Sequence, residues 1–313
     1  FRFMNSKPSE NIKLYGMEKF LNELIELYNN EKMPTKILLS GRRGIGKSTL
    51  AYHLINYIFS TNEGFKYDLN TLSINQKNKS FKLIQNYSHP NFYLIDLLSE
   101  KKNIDVAQIR EMIAYTNKST FNNMPRFILI NNVENLNKNS VNALLKITEE
   151  PNENVFFILI NNNEKNILPT LRSRCLTFKI NFTFIETINI TNQILDIDIL
   201  EYINHDLISY YNSPGEIINL VNFSRDKSIS LNDYNVMSII NLIIENNYYK
   251  KNKLNKSLLI NFIELFFLKK YKSNKENNSL FNFYHSFINK INNMEKFNLD
   301  EESLFLEFKS KLL

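Results

Sequence analysis

The stretch "LLSGRRGIGKSTLAYHL", Leu38 to Leu54, decides the fold. An aliphatic run, "TKILLSG", ends at Gly41, and four residues then separate that glycine from Gly46, Lys47 and Ser48. Beyond Ser48, apolar residues recur at Leu50, Leu54, Ile55 and Ile58 with helical spacing. Strand, glycine-rich loop and helix is the order that a phosphate site requires. Glycines let backbone N–H groups turn inward around phosphate oxygens, and a helix N-terminus favours their negative charge. The candidate ligands of a nucleotide are therefore Gly41, Gly44, Gly46, Lys47, Ser48 and Thr49. Lys47 would reach the β and γ oxygens, and the Ser48 hydroxyl would ligate magnesium. A well-packed structural turn is the other reading of the same residues.

Outward from that loop, strands and helices alternate. "MEKFLNELIELYNN" places Phe20, Leu21, Leu24, Leu27 and Tyr28 at helical spacing before the first strand. "RFILIN" from Arg126 and "NVFFILIN" from Asn154 are continuous apolar runs of the kind found in parallel strands buried on both faces. Between them, "KNSVNALLKITEEP" puts Val141, Leu144, Leu145 and Thr148 on one helical face, with Pro151 just beyond its end. This alternation implies a doubly wound α/β domain up to about residue 180. The remainder reads as helical modules, with a turn signal at Asn212–Gly215, a break near Asp226–Ser230 and an Asn/Lys-rich loop at Ser273–Ser279.

The chemistry at the end of the second aliphatic strand is unusual. Nucleotide-hydrolysing proteins with this loop place an Asp there to fix magnesium and an acid to polarise the attacking water. Here "FILINNVENL" offers Asn131 and Asn132. An amide carbonyl binds a divalent ion weakly, and an amide cannot accept the water's proton at neutral pH. Asn131 stays a candidate nucleotide contact. Glu134 is the nearest acid, read first as a solvated charge at a helix start and second as a catalytic group.

With 313 residues, 43% of them hydrophobic, the chain can bury cores for two or three domains. The net charge of +6 permits attraction to nucleic acid or to anionic membranes, although the heavy use of Asn, Lys and Ile could produce the same excess. One cysteine, Cys175, excludes an internal disulfide and, with four scattered His, speaks against a conventional zinc site. A reducing cytoplasm fits. The start "FRFMNSKPSE" has no apolar secretory core, and a beginning at Phe1 suggests a fragment or a start misplaced before Met4. The longest apolar stretch, Leu258 to Leu268, is too short to span a bilayer and carries Glu264.

"NVFFILINNNEKNILPTLRSRC", "SVNALLKITEEP", "SHPNFYLID" and "IDVAQIREM" resemble the corresponding segments of bacterial clamp-loader subunits, which are AAA+ proteins. The similarity covers about residues 8 to 180 and continues more weakly through "YYNSPGEIINL". The tripeptide Ser173, Arg174, Cys175 after "LPTLR" is the most discriminating piece. The resemblance implies a P-loop AAA+ nucleotide-binding domain at 1–180, a small helical lid at 181–228 and an all-α C-terminal collar domain at 229–313. It implies that Arg174 reaches the γ-phosphate held by a neighbouring subunit; a local pairing with Glu149 or Glu150 is the other reading of that arginine. It further implies ATP or ADP with magnesium as ligands and a hetero-oligomer with delta and tau/gamma subunits. That assembly loads a sliding clamp onto primed DNA, with no membrane involved.

Three departures favour a stator over a motor within that family. The four-cysteine zinc module that many members carry after the loop helix is missing, so zinc is not expected. The lid turn reads Pro214, Gly215, Glu216 where relatives often supply an arginine, and Glu216 would repel phosphate. The third is the amide pair itself. A motor subunit of the same family, or an unrelated P-loop enzyme such as a nucleotide kinase, would also use Lys47 and Ser48. Two further expectations concern the tail: Phe262, Phe266 and Phe267 should be partly covered by partner subunits, with ordinary internal core as the other reading of each, and Lys250, Lys251, Lys253 and Lys256 should form a solvated face, with a DNA contact as the second reading.

Overall fold

Five short parallel strands make the sheet, in the order β2-β3-β4-β1-β5: β1 Lys36–Ser40, β2 Phe92–Ile95, β3 Arg126–Ile130, β4 Val155–Asn161 and β5 Leu176–Lys179. The computed structural model describes residues 7–98, 101–118, 124–149, 154–273, 278–297 and 300–312. Met4, Glu150, Pro151 and the middle of the 273–279 loop lie outside these, as do the side chains of Thr148 and Glu149. The chain divides into two compact units, Phe1–Ile194 with Ser213–Gly215, and Leu195–Asn212 with Glu216–Leu313.

In the first unit the strands follow the apolar runs, and successive side chains go to opposite faces. Ile37 and Leu39 of β1, Phe127 and Leu129 of β3, and Ile158 and Ile160 of β4 enter one core with α1 (Glu18–Asn29) and α2 (Lys47–Ser60). Leu38, Ile128, Ile130, Phe157 and Leu159 enter the other, with α4 (Val106–Thr116) and α5 (Lys138–Glu149). Helices on both faces confirm the doubly wound α/β reading. The expected stripes hold: Leu21 and Leu24 of α1 and Val141 and Leu144 of α5 are buried. Neither β2 nor β5 follows from the sequence pattern, since each has four residues and β5 is an edge strand buried only at Phe178. Helices α3 (Lys79–Gln85), α6 (Pro169–Arg172) and α7 (Phe184–Leu195) complete the connections.

The second unit is helical: α8 (Ile199–Tyr202), most of α9 (Pro214–Lys227), α10 (Val236–Glu245), α11 (Tyr248–Lys251), α12 (Lys253–Ser273), α13 (Asn278–Phe297) and α14 (Glu301–Leu312). Pro214, read as part of a turn, is the first residue of α9, where its missing N–H has no helical partner to lose. Among the described residues no helix is long and apolar enough to cross a membrane. One expectation is corrected here. Phe262, Phe266 and Phe267 are buried within their own unit, with Phe267 against Tyr284, Phe287 and Phe308, and Phe266 against Phe308. The faces of α12, α13 and α14 satisfy one another, so these rings need no partner subunit. The lysine face is also more engaged than expected: Lys250 meets Glu302 at 2.6 Å and Lys256 meets Glu301 at 2.5 Å.

Candidate functional site

The phosphate loop connects β1 to α2 and owes its shape to glycine. At Gly46 φ is +101°, and at Gly44 it is +78°, conformations that strain any side chain. At Gly41 a Cβ would lie 2.3 Å from the Ile180 carbonyl oxygen, so the strand can pass there only without one. The Gly44 carbonyl accepts a hydrogen bond from the Gly215 N–H at 2.9 Å. Lys47 opens α2 and is buried, its Nζ donating to the carbonyls of Gly41 at 2.7 Å and Arg42 at 2.6 Å. Burial pulls its pKa down to about 8, against the opposing pull of the Glu134 carboxylate. Next to it, the Ser48 hydroxyl donates to Asn131 Oδ1 at 3.1 Å, and Thr49 Oγ1 accepts from Asn11 Nδ2 at 3.2 Å. Loop glycines, an ammonium and a hydroxyl at the N-terminus of a 14-residue helix suit the phosphates of a nucleotide. Toward a divalent ion, this side of the loop offers the neutral oxygens of Ser48 and Asn131, 3.1 Å apart.

The ends of β2, β3 and β4 meet beside that loop. Asp96 follows β2 directly. Its Oδ2 accepts from Asn131 Nδ2 at 3.0 Å, while its Oδ1 accepts from Asn132 Nδ2 at 2.6 Å and from the Leu97 N–H at 2.7 Å. Asn162, just past β4, donates its Nδ2 to Asn132 Oδ1 at 2.8 Å, and its N–H to Glu134 Oε1 at 3.1 Å. Sequence reasoning missed Asp96 and Asn162, although "FYLID" carries the same strand-then-acid signal sought after β3.

Glu134 requires a correction. Its first reading was a solvated charge, but only 7% of the residue is exposed. Asn132 adopts the left-handed region, φ 53°, and turns the chain back so that the 3-10 turn Val133–Asn135 lies under the β4 end. Oε2 of Glu134 is buried with no hydrogen-bond partner among the described residues. Burial raises the carboxyl pKa above its ordinary value, against the lowering effect of N–H donors that include Asn162.

Arg174 stands apart from this cluster, exposed between α6 and β5, with its Nη1 donating to the Thr170 carbonyl at 3.0 Å. A structural pairing with Glu149 or Glu150 would involve side chains outside the described residues. Glu216 belongs to the helical unit, where its carboxylate accepts from Asn212 at 3.3 Å and Asn261 at 3.4 Å.

A second polar cluster imitates a hydrolase and is not one. Glu63, Ser80 and His89 line a cavity of about 500 Å³. His89 Nδ1 accepts from the Asn91 N–H at 3.2 Å, so its proton sits on Nε2, facing Ser80 Oγ at 3.2 Å. The Ser80 hydroxyl donates to Glu63 at 2.5 Å. An imidazole whose proton already points at the hydroxyl cannot take another from it.

The family model described as DNA polymerase III, delta subunit, matches residues 16–183. DNA polymerase III subunit gamma of Buchnera aphidicola subsp. Schizaphis graminum is 29% identical over 253 residues, 80% of this chain and 61% of that protein. Subunit delta' of Pseudomonas aeruginosa is 28% identical over 139 residues, 44% of this chain and 40% of that protein. Subunit delta' of Bacillus subtilis is 26% identical over 199 residues, 62% and 56% of the two chains. The matched region thus spans 61% of the first of these relatives and 40% of the second.

Proposed function

We propose that this chain, which belongs to the DNA polymerase III delta-subunit family, is a delta-prime-like clamp-loader subunit and a stator, not a motor, of the loader. The observation that carries this reading is a complete phosphate loop whose Ser48 faces an amide, Asn131, where hydrolysis needs an acid. The loop holds ATP or ADP, with magnesium bound weakly through Ser48, and turnover by this chain is negligible. Polymerisation chemistry resides in another subunit. In this reading the chain works in the cytoplasm with delta, tau/gamma and the sliding clamp, and reaches primed DNA through the assembly. Its parts are a nucleotide-binding domain (1–180), a lid (181–228) and a collar (229–313). With Phe262, Phe266 and Phe267 already covered, exposed apolar residues of the helical unit such as Leu254, Tyr271 and Leu306 are the better collar contacts.

Arg174 acts in trans in this proposal. A guanidinium presented to a neighbour's γ-phosphate stabilises charge developing in phosphoryl transfer, an effect of about three to five orders of magnitude. In a reconstituted loader, Arg174→Ala should assemble normally and lower DNA- and clamp-stimulated ATP turnover by the adjacent subunit to that extent. Arg174→Lys should rescue little, lacking the planar fork. Clamp loading at the wild-type rate by the alanine variant would make Arg174 a structural residue. The gamma relative keeps a motor reading in view, and steady-state ATP turnover by the isolated chain with magnesium would establish it.

A further inference from the structure

Asp96 lies next to the nucleotide site without belonging to the loop or to β3. We infer that Asp96 is a positioning residue of this site: from β2 it supplies the negative charge that β3 lacks, and it turns the Asn131 carbonyl toward Ser48. The inference rests on the nucleotide reading given above and adds to it the device that keeps a neutral residue competent toward a divalent cation.

A carboxamide presents an oxygen on one side and an NH2 on the other, and its two faces are sterically alike. Left to itself, Asn131 could offer either face to Ser48, because a hydroxyl both donates and accepts. A carboxylate only accepts. With Asp96 Oδ2 at 3.0 Å on one side, the group facing it must be Nδ2, and Oδ1 must then face Ser48, as observed at 3.1 Å. The same carboxylate takes Asn132 Nδ2 at 2.6 Å, which leaves Asn132 Oδ1 for Asn162 Nδ2 at 2.8 Å. One acid thus sets the orientation of both amides that stand where acids are expected. The Leu97 N–H, also on Oδ1, and Gln108 Nε2, donating to the Asp96 carbonyl at 2.9 Å, hold Asp96 itself in place. The charge is therefore not lost from the site but set one residue behind it. Asn131 carries that influence to Ser48 through a polarised carbonyl.

The test compares Asp96→Asn, Asn131→Asp and the double variant with wild type in the full chain. Two readouts are used: affinity for ATP and ADP by calorimetry with and without magnesium, and the side-chain amide resonances of Asn131 and Asn132 in nitrogen–proton spectra without nucleotide. In Asp96→Asn, an NH2 meets an NH2 unless one amide flips. Both resonances should shift, and the gain in affinity conferred by magnesium should fall by about tenfold, the scale of one hydrogen bond to a charged group. Magnesium-free binding should stay within about twofold. Asn131→Asp alone sets two carboxylates against each other, whereas the double variant restores a donor–acceptor pair and moves the charge next to Ser48. Its magnesium-dependent gain should match or exceed that of wild type, and should exceed that of either single variant. If Asp96→Asn fails to fold, the double variant against Asn131→Asp decides the matter by the same criterion. Wild-type resonances and a wild-type magnesium gain in Asp96→Asn, or a double variant no better than Asn131→Asp, would overturn the role of Asp96 while leaving nucleotide binding intact. Absence of any nucleotide binding by wild type would instead remove the nucleotide reading, and the role of Asp96 with it.

Discussion

At the end of β1 the site needs little beyond backbone: two glycines with positive φ, one glycine pressed against Ile180, and a lysine seated on the loop's own carbonyls. At the end of β3 it needs side chains from three strands, since Asp96, Asn131, Asn132, Asn162 and Glu134 are meaningful only together. Among the described residues the two regions meet at the hydrogen bond from Ser48 to Asn131, and the Glu134 carboxylate pulls on Lys47. Binding geometry of the first kind survives as long as a few glycines do. Catalytic geometry of the second kind is lost by one atom's change in a side chain, carboxylate to amide, while the fold around it stays as it was.

The comparison breaks most visibly at Lys47. If the loop is a working phosphate site, Lys47→Ala should weaken binding of a fluorescent ATP analogue by about 10- to 100-fold, the scale of a hydrogen bond to a charged group. It should leave the melting temperature almost unchanged. Equal affinity in the two proteins would reduce the loop to a packed turn.

The two regions should also answer pH with opposite sign. His53 on α2 is fully buried between the Asn11 carbonyl and the Tyr67 hydroxyl, and burial holds its pKa down to about 4. The unfolded chain protonates this histidine first, so its contribution to stability is complete above the ordinary value of 6.5 and is lost as pH falls toward 4. Near pH 5 the loss should be about 2 kcal/mol, and urea melts of His53→Gln should show a correspondingly flatter acid limb. Glu134 behaves in reverse. Its folded pKa lies above the ordinary 4.5, so the native state holds the proton more tightly, and stability declines as pH rises from 4.5 through the raised value. Glu134→Gln should therefore be more stable than wild type at neutral pH by about 1 kcal/mol and no different near pH 4. An equal or lower neutral-pH stability would mean that the unpartnered Oε2 is compensated in solution.

These contrasts explain what could be read without coordinates. β1, β3 and β4 are long enough to show as apolar runs, and the loop is a contiguous motif, so half the site was legible. β2 and β5 are too short to carry a period, and Leu176 on β5 is exposed. Asp96 is 35 residues from Asn131 in sequence, and Asn162 is 30 from Asn132, distances at which only the sheet order brings them together. In a chain so rich in asparagine, "INNNE" after β4 reads as composition. Glu134 was misread for a local reason: a charge beside a helix start is usually solvated, and the left-handed turn at Asn132 that buries it has no sequence mark beyond asparagine itself.

The smallest expected effect comes from restoring the missing acids. Asn131→Asp with Asn132→Glu should raise the isolated chain's ATP turnover by less than about tenfold, because the new carboxylates would stand against Asp96 and the start of α9 still reads Pro214, Gly215, Glu216. A motor-like rate in this double variant would show that the amides alone separate stator from motor.

The backbone at Asn132 gives that outcome a direction in time. Asparagine tolerates a left-handed φ of 53°, whereas glutamate there would be strained by about 1 kcal/mol and would lose the NH2 that Asn132 donates to Asp96. Exchange of an acid for asparagine at this turn is therefore downhill for the fold, and the return is uphill before any catalytic benefit is felt. Asparagine at this position is held there by conformation. The turn is a ratchet, and its tooth is a single dihedral angle.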